Sequence, residues 1–588
     1  MKRALWILAG TAATLIAASP KPEDDPILKA MREEIQRARS LKITGVEDQL
    51  YFIEYGLDEV KSFSASASLG ALLRNDENRA RLPRVQIRIG SPAFDNTNYI
   101  YADLFGAARA GAGVSLDNDI PAIRRYFWLA TDRVFKGSVE GLARKRAALR
   151  NITQQDKLND FSAAEPTKVY QDLLEPKIRK DQWLKLTRDL SAVMSGFPKL
   201  TGSQVEFEAD FGNSYYMNSE GTESRFPDGL FFVRATAAAQ ASNGMTVRDG
   251  VMVLARTADK IPSEADLRRA VEQVGRNVTA LVEAPMGEDY SGPVLFEGIA
   301  APQLMAHLLG ANLGLTRQPV NEPGRQFPMP QSELEGRKGS RVLPEWMDVV
   351  DDPTRGEWSG QDLQGSYGVD MEGVVPKPLK IVNAGTLENF LLTRTPVRGF
   401  EGSNGRGRLP GPFGSKAAIF SNLFVTARQN VPDADLKKKF LDMLTQRGKP
   451  YGLIVRKLDF PSTASLDELR RQSMSDGQRG GSTRPAATPL LVYRVKPDGT
   501  EELVRGLRFR GLNVRSLRDI VAASSTESIF HFAGNGSSLP IMGQGGYVAL
   551  HSVVSPALLF EDLELEKRQE DWPKLPVVAP PSLSVSRQ

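Results

Sequence analysis

The sequence predicts an α+β protein in two portions that meet near residue 290. Three observations carry this. As far as residue 283, stretches with apolar residues three and four apart are interleaved with stretches of alternating hydropathy, the periods of helix and strand. From Ser291 onward the chain becomes mostly short strand candidates separated by Pro-, Gly- and Asp-rich connections. With 588 residues, 41% hydrophobic and 25% charged, it has the length for more than one core and an ordinary globular composition.

Residues 1–19 read as an export signal. Met1-Lys2-Arg3 supplies positive charge, 4–18 are almost wholly apolar or small, and Ser19-Pro20-Lys21-Pro22-Glu23-Asp24-Asp25 turns polar. The run is short for a membrane span. Cleavage after Ala18 leaves Ile16 at −3, and cleavage after Ser19 puts Pro20 beyond the cut, so an uncleaved anchor is the alternative. With no cysteine, lipoprotein processing is ruled out. A cysteine-free chain also suits the oxidising periplasm or exterior, the expected location.

A first domain, 20–290, follows. Ile27, Leu28, Met31, Ile35 and Ala38 predict a helix over 26–41. Strands are expected at 50–55, 60–73 and 85–89, then helices at 121–152 and 180–194. Strands return between 205 and 256, with turn chemistry at Asn218-Ser219-Glu220-Gly221-Thr222 and Asn243-Gly244. A helix over 263–283 opens on a capping pair, Ser263 and Asp266. In the second, β-rich domain, 291–570, strands at 452–458 and 490–495 flank a Ser/Gly/Arg/Pro stretch, 472–489, read as a surface loop. Lys496-Pro497-Asp498-Gly499-Thr500 makes a hairpin turn, and glycines from Gly385 to Gly414 punctuate a long loop region. A proline-rich tail, 571–588, closes the chain.

Composition excludes several functions. The 75 basic and 71 acidic residues nearly balance, so no nucleic-acid partner is implied; Arg144-Lys145-Arg146 and Lys437-Lys438-Lys439 are expected on solvated helix faces. The absence of cysteine removes disulfides, thiolate nucleophiles and Fe–S clusters. His307, His531 and His551 lie far apart, so a metal site made from them needs tertiary convergence. No G-x-S-x-G appears, and Gly402-Ser403-Asn404-Gly405-Arg406-Gly407 lacks the Lys-Ser/Thr ending of a phosphate cradle. The segment from Gly292 to Leu309 runs as an apolar strand into Glu297, then into an Ala/Leu-rich helix carrying His307. A metallopeptidase sets histidines around such a glutamate to hold zinc while the carboxylate activates water. Here the flanking positions are Phe296 and Ala301.

Four segments in fixed order carry a family resemblance: Tyr216-Met217-Asn218-Ser219-Glu220-Gly221-Thr222, the 292–309 segment, Gly365-Ser366-Tyr367-Gly368-Val369-Asp370-Met371-Glu372-Gly373, and Leu379-Lys380-Ile381-Val382-Asn383-Ala384-Gly385-Thr386-Leu387-Glu388-Asn389-Phe390-Leu391. With Ser403-Asn404-Gly405-Arg406-Gly407-Arg408 and Ser555-Pro556-Ala557-Leu558-Leu559-Phe560, the chain from about 50 to about 565 resembles the TldD/PmbA family of metallopeptidase-related proteins, once described as modulators of DNA gyrase. The resemblance implies an N-terminal α/β portion, a C-terminal antiparallel β portion, and a dimer around an enclosed chamber. It also implies an H-E-x-x-x-H motif with a distant cysteine as zinc ligands in TldD-like members, absent from PmbA-like members. Aligned on that motif, this chain keeps only Glu297.

Glu297 is then the candidate catalytic base, with no metal ligand beside it; its plainer reading is a carboxylate favouring a helix N-terminus. Asn404, Arg406 and Arg408 are candidates for holding a peptide carboxylate or backbone, against a solvated glycine loop. Asp370 and Glu372 offer two carboxylates at i, i+2, for a cation or for turn geometry. Gly221, Gly373 and Gly385 mark positions of positive φ. The expected partner is a peptide or unfolded segment, with dimerisation on itself or on a metal-bearing homologue, and no cofactor is expected. Zinc enters only if Glu297 works with a non-standard or partner-supplied metal site. A non-proteolytic envelope binding protein is the third reading.

Overall fold

The computed structural model describes residues 19–42, 49–100, 114–150, 157–321, 331–410, 415–459, 488–534, 547–569 and 572–574. Residues 1–18 of the expected export signal, Gly411, Gly414, residues 472–487 of the expected loop and most of the proline-rich tail lie outside the described residues.

Helix α1 (Pro26–Ala38) begins where the Asp25 carboxylate accepts from the Ile27 and Leu28 amides and proline takes the first turn. Strands β1 (Leu50–Ser68) and β2 (Ala71–Ser91) form one long hairpin. Its two-residue turn, Leu69-Gly70, has φ of 50° and 86°, the sense that matches hairpin twist. The strand expected at 60–73 straddles this turn. Leu-Gly carries none of the Asn-Gly or Asp-Gly signal, so the reversal is not legible in the sequence.

There follow β3 (Phe94–Asp95), β4 (Tyr99–Ile100), α2 (Ile120–Leu149), β5 (Lys168–Tyr170), α3 (Lys180–Ala192), β6 (Gly202–Asn218), β7 (Glu223–Gln240), β8 (Thr246–Ala255) and α4 (Glu264–Glu283). The sheet runs β3-β2-β1-β6-β7, antiparallel throughout, with β5 (parallel) and β8 (antiparallel) sharing the far edge of β7. Period-two alternation then sorts its faces. Ile53, Tyr55 and Leu57 of β1 and Tyr215 and Met217 of β6 pack under α1 and α2, while Phe63, Ala65, Val205, Phe207 and Ala209 pack under α3 and α4. The residues between them, including Glu54, Asp58, Ser214, Tyr216 and Asn218, make a polar face turned toward the second portion.

The second portion comprises β9 (Tyr290–Phe296), α5 (Ala300–Leu308), β10 (Val320–Asn321), β11 (Met347–Asp351), β12 (Glu357–Trp358), β13 (Gln361–Asp362), β14 (Leu379–Asn383), β15 (Thr386–Leu387), β16 (Gly407–Pro410), β17 (Lys416–Ala418), β18 (Asn422–Ala427), α6 (Asp433–Gln446), β19 (Gly452–Leu458), β20 (Pro489–Val495), β21 (Glu501–Val504), β22 (Leu507–Arg510), β23 (Ile520–Gly534) and β24 (Ala549–Lys567). Its main sheet runs β15-β14-β11-β18-β24-β9-β19-β20-β21, with β22 and β23 also on β24. Pairing is antiparallel except at β18–β24 and β9–β19. The α+β class and the mainly antiparallel second portion are therefore as the sequence predicts. Strand β9 is central and buried on both faces: Val294 and Phe296 join the core around α5, and Leu295 joins the core under α6. The portions interlock, since β10 pairs with β4 and Leu491 of β20 enters the core beneath α3 and α4.

Candidate functional site

Strand β9 leaves the core at Glu297. The Glu297 amide donates to the Val455 carbonyl at 3.1 Å, Gly298 takes φ +59°, and α5 starts at Ala300. The Glu297 carboxylate is ion-paired with Arg456. That guanidinium also reaches Glu501 at 2.9 Å and lies 4.4 Å from the centre of the Tyr493 ring, while Lys437 holds Glu501 at 2.6 Å. Burial works against the charge of Arg456, but its bonds to Glu297 and Glu501 outweigh this and raise its pKa above the ordinary value. Glu297 is thus one member of a partly exposed charge network. Beside it, Phe296 packs against Phe509 and Phe560, and Phe296 and Ala301 are both fully buried.

Residues of the 216–222, 365–373, 379–391 and 403–408 segments come together where the polar face of the first sheet meets the second portion. The Tyr216 hydroxyl lies 3.1 Å from the Glu54 carboxylate and 3.2 Å from the Glu372 carbonyl, and Lys416 donates to Glu54 at 2.7 Å. Asp370 closes a turn by accepting from the Glu372 and Val374 amides, and takes the Gly407 amide at 2.9 Å. Glu372 accepts from the Arg394 amide at 2.6 Å. The buried Arg394 side chain forks onto Glu220 at 2.7 and 2.8 Å and stacks 4.0 Å from the Phe161 ring centre. Asn404 braces the Phe390 carbonyl at 2.7 Å and the Leu392 amide at 2.9 Å. Arg406 is held by the Asp351 carboxylate at 2.9 Å and donates to the carbonyls of Asp351 and Lys377. Arg408 sits over Tyr367 and donates to the carbonyls of Phe420 and Leu550. Arg256, from the first portion, donates to the carbonyls of Gln364 and Ser366 just before that tyrosine.

The three residues expected to hold a peptide therefore differ. Asn404 and Arg406 spend their polar groups bracing the fold, whereas Arg408 is half-buried with only carbonyl and ring partners among the described residues. The 403–408 stretch is no solvated loop, since Gly405, Arg406 and Gly407 are buried. Asp370 and Glu372 lie on a turn, with Gly373 at φ +78°, rather than on a strand. Burial pushes Asp370 up to about 6; burial and then the charge of Asp370 push Glu372 up to about 7. Burial lowers both Arg256 and Arg408. Sequence reasoning misses Arg394, although a lone arginine following Phe390-Leu391-Leu392 is the mark of a buried, paired charge. It also misplaces Lys145, expected on a solvated face. The side chain is buried and reaches Asp160 at 2.5 Å, because α2 lies against the 95–97 carbonyls that it also contacts.

The described residues do not fit zinc. His551 is buried between Phe420 and Phe532, its Nδ1 without a partner among the described residues, and burial holds it well below its ordinary pKa. His531 shares a 2.8 Å hydrogen bond with Ser552, and burial pulls it down to about 4. His307 is half-buried on α5. Among the described residues no three His, Cys, Asp or Glu side chains gather as a metal cluster.

Comparison with known proteins bears on this geometry. Residues 290–461 match the family model described as the PmbA/TldA metallopeptidase C-terminal domain. A metalloprotease of Archaeoglobus fulgidus is 24% identical over 217 residues, a match spanning 36% of this chain and 42% of that relative's length. Among solved structures, a protein of Thermotoga maritima described as a modulator of a DNA gyrase superposes with a TM-score of 0.55 at 14% identity, covering 91% of this chain and 100% of its own. TldE of Thermococcus kodakarensis does so with a TM-score of 0.54 at 12% identity and the same coverage. A second protein described as a gyrase modulator, from Bacteroides thetaiotaomicron, gives 0.52 at 10% identity, over 92% of this chain and 98% of that one. Residues 290–461 thus match the PmbA/TldA metallopeptidase C-terminal domain, and the chain as a whole shares the fold of these solved proteins over nearly all its length.

Proposed function

We propose that this is an exported member of the family that binds extended or unfolded peptide segments without a zinc site of its own. It acts as a non-catalytic subunit, paired with itself or with a metal-bearing homologue. One observation carries the reading: the positions aligned with the zinc histidines, Phe296 and Ala301, are core residues, and the remaining glutamate is committed to Arg456. A carboxylate alone supplies only proton transfer, a modest part of what amide hydrolysis needs. The half-buried guanidinium groups of Arg256 and Arg408, which bond carbonyls and form no ion pair with a carboxylate among the described residues, suit an acidic or carboxylate-bearing ligand.

The test incubates the purified full chain with an unstructured fluorescent peptide and follows anisotropy and cleavage together. Binding without cleavage, unchanged in Glu297→Gln, is the expected result. Cleavage by the chain alone that is lost in Glu297→Gln contradicts it and favours a working peptidase with a non-standard metal site. Cleavage that appears only on adding a homologue bearing H-E-x-x-x-H supports the subunit role.

A further inference from the structure

A small, partly open cleft lies between the two portions. Three cations line it, Arg88 of β2, Arg317 and Lys416 of β17, together with Thr316, Thr393 and Thr395, and among the described residues no carboxylate does. The carboxylates that hold these cations stand behind the wall. Asp95 holds Arg88 at 2.8 Å and Glu54 holds Lys416 at 2.7 Å. Asp160 serves two cations, Lys145 at 2.5 Å and Arg317 at 3.3 Å. Asp160 is thus shared between Lys145 and Arg317, in surroundings where an under-compensated charge is costly. The Arg88 side chain is 3% exposed, and its Nε has no hydrogen-bond partner among the described residues. A buried donor in that state is the exception in native structures. Burial also draws Lys145 and Arg317 below their ordinary pKa values, partly offset by Asp160.

We propose that this cleft binds the terminal carboxylate of a peptide chain. Guanidinium, ammonium and hydroxyl donors match carboxylate oxygens through charge-assisted hydrogen bonds. Leu315 and Pro319 in the same wall give the terminal side chain apolar contact. The proposal rests on the peptide-binding reading above and adds to it the end of the chain that is recognised.

The experiment titrates the full chain with two fluorescent peptides of one sequence, one ending in a free carboxylate and one amidated, and measures thermal stabilisation by inorganic phosphate separately. The free carboxylate is expected to bind on the order of ten- to a hundredfold more tightly than the amide. Arg317→Gln and, independently, Thr395→Val reduce that advantage while leaving the affinity for the amidated peptide unchanged. Equal binding of the two peptides overturns the proposal, and equal binding with stabilisation by phosphate reassigns the cleft to a free anion. An advantage that persists undiminished in both variants also overturns it, because the carboxylate is then held elsewhere. Failure of both peptides to bind overturns the peptide-binding reading itself.

Discussion

Arg406, with a side chain 1% exposed, lies against a fully buried Asp351, so deleting it strands a carboxylate away from water. Arg406→Ala is expected to cost about 3–5 kcal/mol, read from urea unfolding. Glu297→Ala removes a pair whose side chains are 27% and 35% exposed, and should cost no more than about 1 kcal/mol. Glu372 has a testable sign. Its folded pKa, about 7, lies above the ordinary 4.5, so between those values the native state holds more protons than the unfolded one. The stability it contributes is present at low pH and lost as pH rises through that window. Glu372→Gln, which can still accept from the Arg394 amide, should flatten the decline and be more stable than the wild type above it; urea midpoints at about pH 5 and about pH 8 check this. These roles are only partly legible in the sequence. Asn404, Arg406 and Arg408 sit two apart on one motif, yet what separates bracing from availability is a set of partners tens of residues away.

Two glycines separate conformational strain from crowding. Gly298, between β9 and α5, has φ +59° with open space where a Cβ would go, so Gly298→Ala should cost about 1 kcal/mol. Gly373 has φ +78°, and an added Cβ would meet Thr222 Cγ2 at 2.6 Å and Tyr216 Cε1 at 2.8 Å. Gly373→Ala should therefore lower the melting temperature distinctly more than Gly298→Ala, since it also pries the two portions apart. At this scale the sequence reads well. Strand 452–458 and the helix opened by Ser263 are found where periodicity and capping chemistry put them, and Gly221, Gly373 and Gly385 all have positive φ. The β1–β2 reversal is hidden because Leu69 takes a positive φ without any turn signature.

The two portions are legible as a change of period near residue 290, but their junction is not. The Glu54–Lys416 bond spans 362 residues of sequence, and neither residue stands out in its own segment. Because β4 pairs with β10 and Leu491 completes the core of the first portion, the chain should unfold in a single calorimetric transition. Two separated transitions would show instead that the portions are independent. Residues of the 216–222, 365–373 and 403–408 segments meet at the junction, while Glu297 pairs with Arg456. The most direct measurement is the zinc content of the purified protein by elemental analysis, after equilibration with excess zinc and removal of the unbound metal. The expected result is no stoichiometric zinc, whether residue 297 is glutamate or, in Glu297→Gln, glutamine. One tightly held zinc per chain, lost in Glu297→Gln, would contradict the account.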